Sequence, residues 1–354
     1  MDQARRALGE TCDLCGLTEG RLPFRIVKEF RGAKLRAYHP VRAPTAPVVL
    51  IIPAPFKSAA IWDLAPPVSV VRQFLGRGFQ TFLLEWITPS ENEDDLGLAD
   101  YAHGLPAAAL ETISRESSNR PFLVGHSLGG TFAAICTCMQ PQRVSGVILV
   151  DAPLAFAEQG GPLAKAVKAS PPAQVIRAFS GSPVPGSVIG ALSTAAAPEA
   201  FQLQRVFDLF ASAGDLRALD IHARVERWAL DEFPLTGRLF EDTIEQLYRN
   251  DHFMRNRLQV GERMIGIKDL ASPTLAIINH VGKVVPPRSL LDALHVSRSS
   301  SLQVLEYSGD RGPMFQHLGP LVAPVSHETI WPKILDWITT IAMSIEPPLA
   351  ARRS

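Results

Sequence analysis

Gly125-His126-Ser127-Leu128-Gly129, near the middle of the chain, is the stretch whose residue types and spacing could most directly do chemistry. A serine sits between two glycines in a G-x-S-x-G pattern. The apolar run Phe122–Val124 before it and the helix-compatible residues Gly130–Met139 after it predict a strand, a sharp turn and a helix. Such a turn holds a nucleophilic serine exposed above a parallel sheet, and the glycines let strand and helix approach closely. It also aims the backbone N–H of Leu128 and the helix N-terminus at the place where an oxyanion would develop.

A serine hydroxyl is a weak nucleophile near neutral pH and needs an adjacent base. Two histidines lie late enough in the chain to follow the last strand. His317, in Phe315-Gln316-His317-Leu318-Gly319, occupies a glycine-flanked loop beyond the apolar run Leu302–Tyr307 and is the favoured base. His327, in Ser326-His327-Glu328-Thr329, is expected to cap the final helix or face solvent. His126 adjoins the serine, but adjacent side chains on a tight turn diverge, so its expected role is structural. A second oxyanion donor should come from Pro53-Ala54-Pro55-Phe56-Lys57-Ser58; Pro55 has no N–H, which leaves Phe56.

The acid that would orient the histidine is harder to find. Its usual loop, here Asn279-His280-Val281-Gly282-Lys283-Val284-Val285-Pro286-Pro287, contains no carboxylate. Asp151, in Val150-Asp151-Ala152-Pro153, stands at another expected strand end and is the candidate acid, although it could equally cap a loop. Asp310 is closer to His317 in sequence, but proximity along a loop supplies no orientation.

The elements that must position these residues follow from the hydrophobic pattern. Phe24–Val27 and Lys34–Tyr38 read as an antiparallel edge hairpin turning at Arg31-Gly32, after a polar stretch to about residue 21 with weak helical character. Val48–Ile52, Phe122–Val124 and Gly146–Val150 read as buried strands and Phe79–Leu84, Pro273–Ile278 and Leu302–Tyr307 as further strands of the same sheet, with helices expected over Pro66–Gly78, Leu105–Ser117 and Ile330–Ile345. Strands alternating with helices imply an α/β chain with a mostly parallel, doubly wound sheet. From about Pro153 to Gly266 no buried strand is expected; Gly160–Ala200 is rich in Ala, Pro, Ser and Gly, and Phe201–Asn250 is helical in character. A helical insertion there would cap and shield the site. The expected division is an N-terminal extension 1–21, a core 22–152 and 267–345, a helical cap 153–266 and a tail 346–354.

The 354 residues carry 35 Lys+Arg against 35 Asp+Glu, so no basic field points to nucleic acid or an anionic membrane. A hydrophobic content of 46% supports a substantial core. The opening residues lack the apolar segment of a signal peptide, and no apolar run reaches a membrane-spanning length, so a cytoplasmic protein is the default expectation. Cys12 and Cys15 have C-x-x-C spacing, but with no second pair and only His39 nearby they do not complete a metal site. Cys136 and Cys138 are expected to pack as small apolar groups. No cofactor and no metal is expected.

Taken together, these segments resemble the class III poly(3-hydroxyalkanoate) synthases, a branch of the α/β-hydrolase fold. The resemblance is carried by Pro53–Leu64 with Pro67 and Ser69–Val71, by Leu84-Glu85-Trp86, Pro89 and Leu96–Tyr101, and by Gly125–Thr131. It continues through Trp228, Asp231, Gln246–Tyr248 and Gly266–Leu270 to Val284–Pro287 and His317–Gly319, in order, over about residues 22 to 342. It implies an α/β-hydrolase core with a cap, acyl chemistry, and self-association or a partner subunit. Two departures stand out. The family's nucleophilic cysteine is Ser127 here, and the aspartate before its Leu-Val-Pro-Pro stretch falls on Gly282.

A thiol nucleophile exchanges acyl groups with coenzyme A nearly isoenergetically, thioester for thioester, as repeated transfer requires. A serine forms an oxyester, so acylation from a thioester runs downhill and release to water or a fixed acceptor is favoured. The expected function is therefore a serine-nucleophile acyl hydrolase, an esterase or thioesterase, acting on a small-molecule acyl ester or acyl-CoA, with 3-hydroxyacyl compounds suggested by the resemblance. The alternatives are an acyltransferase or polymer synthase and, given the acid missing at Gly282, a non-catalytic acyl-binding subunit.

Overall fold

The structure is a computed structural model that describes residues 2–17, 22–38, 47–280, 282–309 and 317–345. His39, Asp310, the Phe315-Gln316 part of the histidine loop and the tail 346–354 lie outside the described residues.

Among the described residues ten strands form in chain order: β1 (Arg25–Phe30), β2 (Ala33–Tyr38), β3 (Val48–Ile52), β4 (Gln80–Trp86), β5 (Phe122–His126), β6 (Gly146–Val150), β7 (Leu258–Val260), β8 (Arg263–Ile265), β9 (Thr274–Asn279) and β10 (Leu302–Tyr307). Eight of them make one sheet in the order β1-β2-β4-β3-β5-β6-β9-β10. β1 and β2 form the antiparallel hairpin at one edge, β2 also pairs antiparallel with β4, and every pairing from β4 to β10 is parallel.

The apolar runs of the central strands β3, β5, β6 and β9 are continuous because both faces of the sheet are covered there, whereas the edge strands β1 and β10 are largely exposed. Successive side chains point to opposite faces, and the core divides accordingly. Val48, Leu50 and Ile52 of β3, with Leu149 of β6 and Ile278 of β9, pack on one side. Val49 and Ile51, with Val150 and Ile277, pack on the other. Burying one such side chain fully contributes roughly 1.5–3 kcal/mol, so the strands that carry the candidate site are among the most firmly held parts of the molecule. The order of the strands matters for function. β6 lies between β5, which leads into Ser127, and β9, which leads into the loop that lacks an acid.

Between β6 and β9 the chain is mostly helical, as expected, with two differences. The Ala/Pro/Ser/Gly-rich stretch folds into the helices Gly161–Ala169, Ala173–Ser180 and Gly186–Ala196. A two-stranded antiparallel ribbon, β7 with β8, stands where no buried strand is expected, and Leu258 and Val260 are fully buried. Each strand is three residues long, too short to show a period in the sequence. The N-terminal stretch is a helix, Asp2–Cys12, and is firmly tied down. Arg5 donates to the carbonyls of Leu230 and Glu232, and Asp13 pairs with Arg227 at 2.7 Å.

Candidate active site

Ser127 occupies the junction between β5 and the helix Leu128–Met139, with φ 54 and ψ −133. A non-glycine residue with positive φ costs on the order of 1–3 kcal/mol and persists only where its surroundings impose it. Here they do. The Ser127 N–H donates to the carbonyl of Val150 at 3.0 Å, tying the turn to the end of β6. Two of the glycines are sterically required. A Cβ on Gly129 would lie 2.2 Å from the carbonyl oxygen of Ile52, and one on Gly130 would lie 2.4 Å from the Cβ of Ala152. The helix start is thus wedged between the ends of β3 and β6.

Leu128, the first residue of that helix, has an N–H with no intrahelical acceptor. Phe56 lies across the site in the loop after β3, and both residues line the same cavity as Ser127. The Phe56 loop is clamped by the helical insertion. Phe233 N–H donates to the carbonyl of Phe56 at 3.0 Å, and the Trp228 indole donates to the carbonyl of Ser58 at 2.8 Å. Lys57 between them bonds the carbonyl of Ala229 and the carboxylate of Glu232, and burial pushes its ammonium below the ordinary lysine range.

His317 lies against Asp151. Its Nδ1 is 2.6 Å from Oδ2 of Asp151, and Asp151 is 2% exposed. With Nδ1 engaged, Nε2 is the ring nitrogen left for the cavity that His317 and Ser127 both line. Burial drives the imidazole below its usual range and the carboxyl above its own, so each resists carrying an isolated charge. The neighbouring His126 and a hydrogen bond from the backbone N–H of Asn279 oppose the rise at Asp151. Asn279 is the last residue of β9. The strand end that usually carries the acid therefore supplies a backbone donor to a carboxylate borne by the next strand. Gly282 itself sits in a turn, its N–H donating to the carbonyl of Asn279 at 3.0 Å. A Cβ there would lie 2.9 Å from the carbonyl of Val285.

His327 corrects an expectation: it neither caps the final helix, Trp331–Ile345, nor faces solvent. It is 6% exposed, its Nε2 donates to the carbonyl of Leu321 at 2.7 Å, and its Nδ1 lies 3.3 Å from the side-chain nitrogen of Gln73. The short helix Pro324–Thr329 turns it inward, away from the cavity lining. His126 is also buried, with Nε2 donating to the main-chain carbonyl of His317 at 2.7 Å. The ligand-type atoms of His126, Asp151 and His317 lie within 4.8 Å of one another, but Nε2 of His126 and Nδ1 of His317 are spent on the hydrogen bonds just described. Cys136 and Cys138 are buried, and burial pushes both thiols up, Cys136 to about 12.

The cavity has a volume of about 360 Å³. Ser127, His317 and Phe56 meet a mainly apolar wall of Ile61, Trp62, Leu163, Val167, Ile189, Leu192, Phe201, Trp228, Phe240 and Tyr248. Most of that wall comes from the insertion, including the helices Gly161–Ala169 and Gly186–Ala196 that sequence reasoning left unread. Their signal was present as Leu163 with Val167 and Ile189 with Leu192, at four- and three-residue spacings, within otherwise small residues.

A family model described as the alpha/beta hydrolase family matches residues 48–286. The Poly(3-hydroxyalkanoate) polymerase subunit PhaC of Haloferax mediterranei is 25% identical over 82% of this chain and 58% of its own length. This chain therefore spans well under two thirds of that relative. The protein of the same name from Synechocystis sp. is 24% identical over 96% of this chain and 91% of its own length. Among solved structures, a highly thermostable carboxyl esterase from Bacillus coagulans superposes with a TM-score of 0.60 at 15% identity, covering 91% of this chain and 100% of the esterase. No helix among the described residues is long and apolar enough to cross a membrane. The chain belongs to the alpha/beta hydrolase family, in a branch similar to the poly(3-hydroxyalkanoate) polymerase subunits.

Proposed function

We propose that this chain is a serine acyl hydrolase that works through an acyl-enzyme, with Ser127 as nucleophile, His317 as general base and Asp151 as the acid. The observation that carries the reading is the 2.6 Å contact between His317 Nδ1 and Asp151, in the wall of a cavity that Ser127 shares. Ser127 Oγ attacks the substrate carbonyl carbon as its proton passes to Nε2 of His317. The backbone N–H groups of Phe56 and Leu128 hold the resulting oxyanion. Collapse expels the alcohol or thiol, which leaves with the proton held by His317. Water then repeats the sequence on the acyl-serine, and the free acid departs. Residues 153–266 act as a cap whose apolar lining takes the acyl chain and limits water.

A second reading, acyl transfer, is favoured by the similarity to proteins named as poly(3-hydroxyalkanoate) polymerase subunits over most of this chain. Under it the acyl-serine is relieved by a hydroxyl acceptor instead of water. A purely acyl-binding subunit loses its main motivation once a carboxylate lies against His317. A panel of p-nitrophenyl esters and acyl-CoA thioesters, run on wild type and Ser127→Ala, tests the proposal. Free acid with stoichiometric alcohol or coenzyme A supports hydrolysis, coenzyme A release with ester or polymer product supports transfer, and binding without turnover contradicts both.

A further inference from the structure

We propose that His126 is a positioning residue that fixes the base loop to the nucleophile turn through its Nε2–H bond to the carbonyl of His317. The inference rests on the reading of His317 as the base and concerns how that base is held. His126 is the last residue of β5 and immediately precedes Ser127, so its main chain is fixed by the same strand that sets the nucleophile. It is 6% exposed, and its Nε2 lies 2.7 Å from an acceptor that can only accept, so the proton is on Nε2. The two imidazoles also lie in tilted contact, with centroids 4.5 Å apart and planes inclined by 39°. Burial pushes His126 down to about 3, so it stays neutral and does not compete with His317 for charge.

His317 is thereby held at two points from two strand ends. Asp151, beyond β6, holds the ring, and His126, ending β5, holds the main chain from which the ring projects. The Asp151 contact sets the ring, and the His126 contact sets the main-chain carbonyl of the same residue. A catalytic group displaced by about 1 Å can lose about 10²-fold in rate, and that is the expected scale of the effect.

The test compares His126→Gln, whose side-chain amide nitrogen can take the place of Nε2, with His126→Asn, whose nitrogen falls short, and His126→Phe, which keeps the ring contact without a donor. Acylation by a fluorophosphonate probe, kcat and KM for a p-nitrophenyl ester and thermal midpoint are measured for each, with Ser127→Ala as control. The expected result is a kcat and acylation rate near wild type for His126→Gln and about 10²-fold lower for His126→Asn and His126→Phe, with KM little changed. Equal rates in His126→Gln and His126→Asn, or losses in rate that follow thermal midpoint across all three, overturn the inference while leaving the proposed function standing. Ser127→Ala labelling as fast as wild type overturns both.

Discussion

The carboxylate of Asp151, at the tip of β6, meets Nδ1 of His317 at 2.6 Å across 166 residues of sequence. The strand order explains why a carboxylate at this position can replace one in the loop after β9. β6 is the neighbour of both β5 and β9, so its tip lies one strand from the serine turn and beside the loop that contains Gly282. Asn279 completes the arrangement with a backbone N–H to the displaced carboxylate. Asp151 also has φ 45, in the left-handed region that Asp and Asn tolerate better than other side chains.

Asp151→Asn should therefore fold normally, because Asn suits that backbone and keeps a similar shape. It should slow kcat by roughly 10⁴, the scale on which loss of the orienting carboxylate acts in serine proteases. Turnover within tenfold of wild type, with an unchanged circular dichroism spectrum, would remove Asp151 from the mechanism.

Ser127→Ala should abolish turnover, and His317→Ala should be about as damaging. The double variant should be no worse than either, because groups that act as one unit do not add. Steady-state rates on a p-nitrophenyl ester read this directly; additive losses would mean that the two residues do not work together.

His327 should matter for stability and not for chemistry. Burial pushes it down from 6.5 to about 4. The unfolded chain thus takes up the proton first as pH falls below the ordinary value. The native state loses stability between those two pH values by on the order of 3 kcal/mol, then levels off. His327→Gln, which can both donate to Leu321 and accept from Gln73, should flatten that part of a thermal-midpoint-against-pH curve with kcat near wild type. An unchanged acid slope in the variant would assign the loss to other groups.

Gly129→Ala should fail to assemble the site, since the added methyl would sit 2.2 Å from a carbonyl at the end of β3 and no side chain there can move aside. Loss of soluble, probe-reactive protein is the expected outcome. A folded, reactive Gly129→Ala would mean that the β3 end and the helix start are less tightly opposed.

The sheet and the serine turn were legible in the sequence because their signals are local: continuous apolar runs for strands buried on both faces, and glycines where Ile52 and Ala152 press on the helix start. The partners of the site residues are contacts across sheet neighbours, and one-dimensional order does not rank them. Asp151 could be named as a candidate but not distinguished from a loop cap, because the contact that distinguishes them depends on where the residue 317 loop returns. His327 looked solvent-facing because its burial depends on Leu321 and Gln73, which come from separate elements. Two wall helices, Gly161–Ala169 and Gly186–Ala196, were hard to read for a compositional reason: small residues dilute an apolar face carried by Leu163 with Val167 and by Ile189 with Leu192.

The most direct measurement is intact-mass and peptide mapping after reaction of the folded wild-type protein with a fluorophosphonate. One adduct per chain on Ser127 is expected, absent in Ser127→Ala and formed far more slowly in Asp151→Asn. No adduct on the folded wild type, or an adduct on another residue that persists in Ser127→Ala, would contradict it.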